Sequence, residues 1–284
     1  MNQQELDVIH DQNIIKANKI IQNAQFSLSV RQYKILSFFI SKIKKGDTHD
    51  TKYNTTITEI AEVCNLSLSG KNDWERIRND LKRLAMPEWG VTIDGDEATM
   101  SWIQKAKRIK GTDKIEIKFD EDMAEYLFLL KDNFTKYKLG EIIVFKSKYT
   151  IRLYEIVRSW AGQHRLEEQT EKGPIYHKIT FMMDVDELRK RLDPNNTYEK
   201  WNAFSQKVLK LAVDEINDYN EDIHVDIEMI KEKRVVTKVR FTVMSTYDYS
   251  DGYTTEQVKE RVDAHNRIHE RIGRGVYIGK PNEP

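Results

Sequence analysis

Hydrophobic positions recur at helical spacing in some stretches of the chain and alternate in others. The order of these stretches is the first clue to the fold. Residues 12–26 carry Ile14, Ile15, Ile20 and Ile21, a short helical or extended lead-in. From Ser29 to Lys45 the residues Tyr33, Ile35, Leu36, Phe39, Ile40 and Ile43 form one apolar stripe, and Gly46-Asp47 ends it. Thr58–Asn65 predicts a short helix with Thr58 as its cap. After a polar loop, Ser67–Asp73, the span Trp74–Met86 predicts a third helix closed by Pro87. Val91–Ile93 and Ala98–Ile103 flank Asp94-Gly95-Asp96, a strong hairpin-turn signal. Lys114–Phe119 alternates Ile115, Ile117 and Phe119, the pattern of a half-buried strand. Three helices followed by a β-hairpin is the order of a winged helix.

The order then recurs. Lys148–Trp160 predicts a helix with Ile151, Leu153, Tyr154, Ile156 and Val157 apolar. A polar loop (Arg165–Pro174), a short strand (Lys178–Met182) and a short helix capped by Asp184 (Asp184–Leu192) follow. The turn Asp193–Asn196 leads into a long helix, Tyr198–Asn217, and Val225–Ile230 and Val235–Val243 form a hairpin across Lys231–Arg234. The two long third helices superpose in sequence. Trp74, Ile77, Leu81 and Leu84 are spaced 3, 4, 3, and so are Trp201, Phe204, Val208 and Leu211, each 127 residues later. A 3-4-3 stripe alone is only an amphipathic helix. A Trp-led stripe repeated in step, with Val91–Ile93 and Val225–Ile227 as the strands behind, points to duplicated domains. The expected fold class is α+β: two tandem winged-helix domains related by internal duplication. The expected division is a lead-in at 1–28, winged helix one at 29–140, winged helix two at 141–250, and a tail at 251–284. In that tail Val258, Val262 and Ile268 have helical spacing.

Composition excludes several alternatives. The chain of 284 residues has 39% hydrophobic and 10% aromatic residues, enough for packed cores. A single cysteine, Cys64, builds neither a disulfide framework nor a CxxC metal site. No run of 18 apolar residues exists to span a membrane as a helix, and the N-terminus lacks the order of a secretory signal, so a cytoplasmic protein is expected. The Gly273–Lys280 run has the wrong spacing for a phosphate-cradling loop, and Pro281 follows its lysine. No His-x-His pair and no GxSxG occurs. His265 and His269 stand at i, i+4, but Asn266 replaces the glutamate of HExxH, so a solvated helix face is the better reading. Neither an enzyme nor a cofactor is expected.

With 46 basic and 46 acidic residues, any nucleic-acid surface must come from local clustering. At about 100° per residue, the face opposite Trp201, Phe204, Val208 and Leu211 carries Glu199, Asn202, Ala203, Gln206 and Lys210, flanked by Ser205 and Lys207, with Val213 further along. Amide side chains pair bidentately with adenine, a small alanine sits against a thymine methyl, and lysines suit phosphate or guanine. The first repeat opposes its stripe with Asn72, Glu75, Asn79, Lys82 and Arg83, flanked by Arg76 and Arg78. Behind it Lys105, Lys107, Arg108 and Lys110 fall within six positions with no acid among them, a phosphate clamp if they lie on a wing. Lys231, Lys233 and Arg234 play the same part in the second repeat. A solvated basic loop or helix face remains the plain alternative for each cluster.

The run Phe145–Trp160, with Lys146, Ser147, Tyr149, Thr150, Ile151, Arg152, Leu153, Tyr154 and Glu155, resembles the motif that opens the second winged helix of theta-type plasmid replication initiators, the iteron-binding initiator RepB family. In the same order, Asp184–Asp193 resembles that family's second helix. Tyr198–Asn217, ending in Ala-Val-Asp-Glu-Ile-Asn, resembles its recognition helix, and the amino-terminal segment from Gln12 resembles its opening. The resemblance covers roughly residues 12–244. It implies two winged helices and sequence-specific binding of double-stranded DNA at repeated origin sites, without catalytic activity. It also implies homodimers formed through domain one that repress their own promoter, origin opening, and recruitment of a host initiator and helicase. The family often carries a basic pair after the aromatic residue of the recognition helix; here Ser205, Gln206 and Lys207 follow Phe204. Asn202, Gln206, Lys207 and Lys210 are therefore chosen on their own chemistry. Lys148 and Arg152 lie in the shared motif, and Arg152 is either a phosphate contact or, three residues from Glu155, a structural ion pair. The competing reading is a winged-helix transcriptional regulator without origin function.

Overall fold

The computed structural model describes residues 1–67, 72–87, 89–93, 96–130, 133–163, 167–168, 176–220 and 222–245. The expected turn residues Asp94-Gly95, most of the two polar loops, and the tail with its expected helix and His265/His269 lie outside the described residues. In chain order the elements begin with α1 (Gln3–His10), β1 (Asn13–Ala17), α2 (Asn18–Asn23), α3 (Val30–Ser41), β2 (Lys52–Thr56), α4 (Ile57–Val63) and α5 (Asp73–Leu84). Then come β3 (Trp89–Ile93), β4 (Asp96–Met100), β5 (Ile103–Arg108), β6 (Lys114–Phe119), β7 (Phe134–Lys138) and α6 (Leu139–Ile143). The second half has α7 (Lys148–Gln163), β8 (Glu167–Glu168), β9 (Tyr176–Asp184) and α8 (Val185–Leu192). It ends with α9 (Trp201–Phe204), a π-helical turn (Ser205–Lys210), α10 (Leu211–Tyr219), β10 (Ile223–Glu232) and β11 (Val235–Ser245). The residues form two compact units, 1–159 with 186–212, and 160–185 with the described residues from 213 onward.

Local chemistry sets the ends of these elements. α3 opens on a capping box: the Ser29 hydroxyl accepts from the Gln32 amide while the Gln32 side chain accepts from the Ser29 amide. The helix stops at Ser41, short of the expected Lys45, where the Ser41 hydroxyl donates to the Phe38 carbonyl at 2.8 Å. α4 is capped by Thr56 rather than the expected Thr58; the Thr56 hydroxyl accepts from the Glu59 amide at 3.0 Å.

The sheets carry the duplication. In the first unit the order is β2-β6-β5, so the strand before the two helices of the helix-turn-helix pairs with the last strand of the hairpin. In the second unit β10-β11-β9-β8 repeats this: β9 precedes α8 and α9 in the chain and pairs with β11, the last strand. This match corrects one expectation. Val225 lies in β10, whose counterpart is β5; Val91 lies in β3, which among the described residues pairs only with β4, as a separate hairpin inserted after α5.

Aromatic packing closes each core. In the first unit Phe26 meets Trp102 edge-on at 5.3 Å and Tyr33 at 5.8 Å. In the second, Trp160 and Phe241 stack on the two sides of Phe181 at 5.2 and 5.1 Å. There the Asn217 side chain also exchanges two hydrogen bonds with the Val225 backbone.

The lead-in is part of the first unit. β1 pairs antiparallel with β7, and the Lys16 ammonium, buried, meets the buried Glu155 carboxylate of α7 at 2.6 Å. Tyr137 donates to the same carboxylate oxygen at 2.5 Å. Arg152 donates to the Ala24 carbonyl at 2.7 Å, lies 4.7 Å from the Phe26 ring, and stands 3.6 Å from Glu155. Arg158 reaches Tyr154 at 2.7 Å and Glu141 at 3.0 Å, and Tyr154 also bonds Glu141. Burial by itself would raise the Glu155 carboxyl; the charges of Lys16 and Arg152 and the two hydrogen bonds outweigh it and hold the group below the ordinary carboxylate range. Burial and that negative charge push the Tyr137 phenol well up. The expected border at residue 140 thus falls inside this unit, because the first part of α7 is tied to the lead-in.

Candidate nucleic-acid interface

The first reading helix is α5. Its inner side buries Ile77, Asp80, Leu81 and Leu84. Asp80 is an acid on an apolar face, and it is satisfied there: Arg31 of α3 pairs with it at 2.9 Å and Gln32 donates at 3.3 Å, which fixes α5 against α3. The outer side exposes Asn72, Glu75, Arg76, Arg78, Asn79, Lys82 and Arg83, as expected. Arg76 stands 3.7 Å from Asp73 one turn earlier.

Beside it runs β5, an edge strand. Only its first residue, Ile103, is buried, and Lys105, Lys107 and Arg108 are all exposed. A register shift between Ile103 and Lys105 marks a bulge, after which side chains alternate, so Lys105 and Lys107 share one side and Arg108 takes the other. Arg108 stacks 4.8 Å over the Trp74 ring of α5 and donates to the Thr112 carbonyl at 3.1 Å. Lys110 is exposed in the turn to β6, which Gly111 makes at φ +79°. Between α5 and β5 lies a cleft of about 370 Å³ that includes Trp74, Arg78, Lys82, Lys107 and Arg108 in its lining. The reading helix and wing of this half are thereby joined by one cationic groove with an aromatic wall, suited to a run of phosphates. The Trp74–Arg108 contact was not legible beforehand, because neither residue's spacing indicates it.

The second reading helix runs from α9 through the π-helical turn into α10. Its entry is held rigidly. Asp193 accepts from the Tyr198 amide at 2.8 Å, Arg189 of α8 donates to the Tyr198 carbonyl at 2.6 Å, and Arg189 stacks 4.5 Å over Phe204. Asn202, Gln206, Lys207 and Lys210 are exposed and Ala203 is half-buried. The Lys207 ammonium lies 5.8 Å from the Tyr198 ring. Two expectations change. Leu211, placed in the apolar stripe, is 43% exposed, and Val213, placed on the open face, is buried. The inner side is instead Phe204, Ser205, Val208, Leu209 and Ala212.

In the second unit the wing is the β10–β11 hairpin. Glu232 pairs with Val235, leaving Lys233-Arg234 as a two-residue loop with Lys233 at φ +57°. Lys231, Lys233 and Arg234 are exposed. The two motif residues of α7 behave otherwise. Arg152 is 1% exposed, so the structural alternative holds and it is not a phosphate contact. Lys148 is half-buried and donates to the Ser27 hydroxyl at 3.0 Å.

Comparison with known proteins agrees with this architecture. Residues 13–158 match the family described as initiator replication protein, WH1, and residues 184–243 match initiator Rep protein, WH2. The first match runs past the expected border at 140. A replication initiation protein from Escherichia coli is 32% identical over 226 residues, covering 78% of this chain and 65% of that protein, so the chain spans about two thirds of its length. The crystal structure of the Pi initiator protein in complex with iteron DNA matches with a TM-score of 0.61 at 17% identity, over 85% of this chain and 99% of that one. With two winged helices in tandem and both halves matched, the chain belongs to the initiator replication protein family.

Proposed function

We propose that this protein is a sequence-specific, non-catalytic DNA-binding initiator of plasmid replication that binds repeated sites at an origin. The supporting observation is the pair of reading helices on one chain, each with an exposed polar face and a basic wing in the same half of the sequence. Two heads of this kind fit successive major grooves on one duplex, with centres about 34–36 Å apart. Clustered copies would bend the duplex and help melt a neighbouring AT-rich stretch. Membership of the family supports the further steps: recruitment of a host initiator and helicase, and repression of its own promoter by a cytoplasmic homodimer formed through winged helix one.

The test is a DNase footprint on the DNA flanking the gene, at about 150 mM salt to suppress non-specific binding. A ladder of evenly spaced protected repeats is expected. One protected palindrome over the promoter would make the protein a regulator without origin function, and metal-dependent nicking of that DNA would overturn the non-catalytic reading.

A further inference from the structure

The π-helical turn changes which residues face outward from the second reading helix. In an unbroken α-helix, Leu211 would lie within about 20° of Phe204 and be buried with it. An i→i+5 turn inserts about one residue and rotates everything after it by roughly 100° relative to what precedes. Ala212 then falls into line with Phe204 and Val208, and all three are fully buried. Leu211 swings out to the side of Lys207 and is 43% exposed. At the start of the turn the Ser205 hydroxyl, itself buried, donates to the Asn202 carbonyl at 3.1 Å. The outward row therefore reads Asn202, Gln206, Lys207, Lys210 and Leu211, one branched apolar side chain among amides and ammoniums.

Resting on the DNA-binding reading above, we infer that Leu211 is a specificity-determining residue that packs against a thymine methyl in the major groove. A polar side chain in that row is able to meet a phosphate or a base edge of any pair. An aliphatic one finds an apolar partner only at the thymine C5-methyl, so its presence selects A·T at one or two positions of the site. The π-helical turn is the device that puts it there, in keeping with such turns at functional sites.

The experiment begins with selection of bound duplexes from a random 30-base-pair pool by the full chain. Each thymine of the selected site is then replaced singly by deoxyuridine, which lacks the methyl group. For the wild type, one or two positions should lose roughly fourfold in affinity, the size of one buried methyl. With Leu211→Ala those positions should become insensitive, and Leu211→Met should restore the sensitivity with unchanged thermal unfolding. If no duplex is selected, the DNA-binding reading falls and this inference with it. If a site is selected but the deoxyuridine profile is the same in wild type and Leu211→Ala, the reading stands and Leu211 has no such role.

Discussion

The two reading helices descend from one pattern and expose different chemistry. α5 presents Arg76, Arg78, Lys82 and Arg83, its partner strand adds Lys107 and Arg108 across a cleft walled by Trp74, and Lys105 is exposed on the same strand. The second helix presents Asn202, Gln206, Lys207, Lys210 and Leu211, with two cations where the first has four. Guanidinium and ammonium groups in a groove bind phosphates whatever the sequence; amides and an aliphatic side chain discriminate base edges. From this difference we propose that the first head mainly supplies affinity and the second mainly supplies sequence discrimination. A third arginine environment sets the limit of this reasoning: Arg152 is as cationic as Arg78 but serves the fold.

The change with the largest effect removes that structural exception. Glu155→Ala leaves Lys16 and Arg152 buried without their acid and should destabilise the chain by about 3–5 kcal/mol in chemical denaturation. Because the folded Glu155 carboxyl is held below its unfolded range, its contribution is complete above that range and is lost as pH falls toward the folded value. The acid limb of the stability curve should therefore flatten in Glu155→Gln. A variant as stable as wild type would contradict the structural role given to this buried charge network.

Next in size is Gln206→Ala, with a loss of roughly 1–3 kcal/mol on the selected site and none on random duplex. Lys107→Ala should weaken binding to every duplex alike and reduce the salt slope by about 0.9. The smallest effect lies at the second wing. Lys233 stands at φ +57°, so Lys233→Gly should relieve backbone strain and stabilise the fold by up to about 1 kcal/mol while slightly weakening affinity for all DNA. Lower stability in that variant would contradict the strained-turn account.

Much of the fold was legible: α5 buries one face and β6 alternates as its pattern implies, while the apolar positions of α3 and α7 are buried together with the polar residues between them, from Tyr33 to Ser41 and from Tyr149 to Ser159. β2 was not. Its sequence Lys-Tyr-Asn-Thr-Thr buries only Tyr53 and Thr55, and its pairing is with β6, more than fifty residues away. The inserted β3–β4 hairpin was misaligned with β10 because a Val-x-Ile strand pattern carries no record of its partner. Leu211 was misplaced because a 3-4-3 stripe fits an unbroken helix, and only tertiary packing of Leu209 and Ala212 reveals the π-helical turn. In the candidate site the exposed cations were readable from their position opposite each stripe. Arg152 was not, since an i, i+3 pair with Glu155 suits a surface and a buried network equally.

One paired titration tests the division of labour between the heads. Wild type, Gln206→Ala and Lys107→Ala are each titrated against the selected site and a scrambled duplex of equal length across a range of salt. The account predicts that Gln206→Ala loses affinity on the site alone with an unchanged salt slope, and that Lys107→Ala loses equally on both with a shallower one. Equal losses on both duplexes from both variants would contradict it.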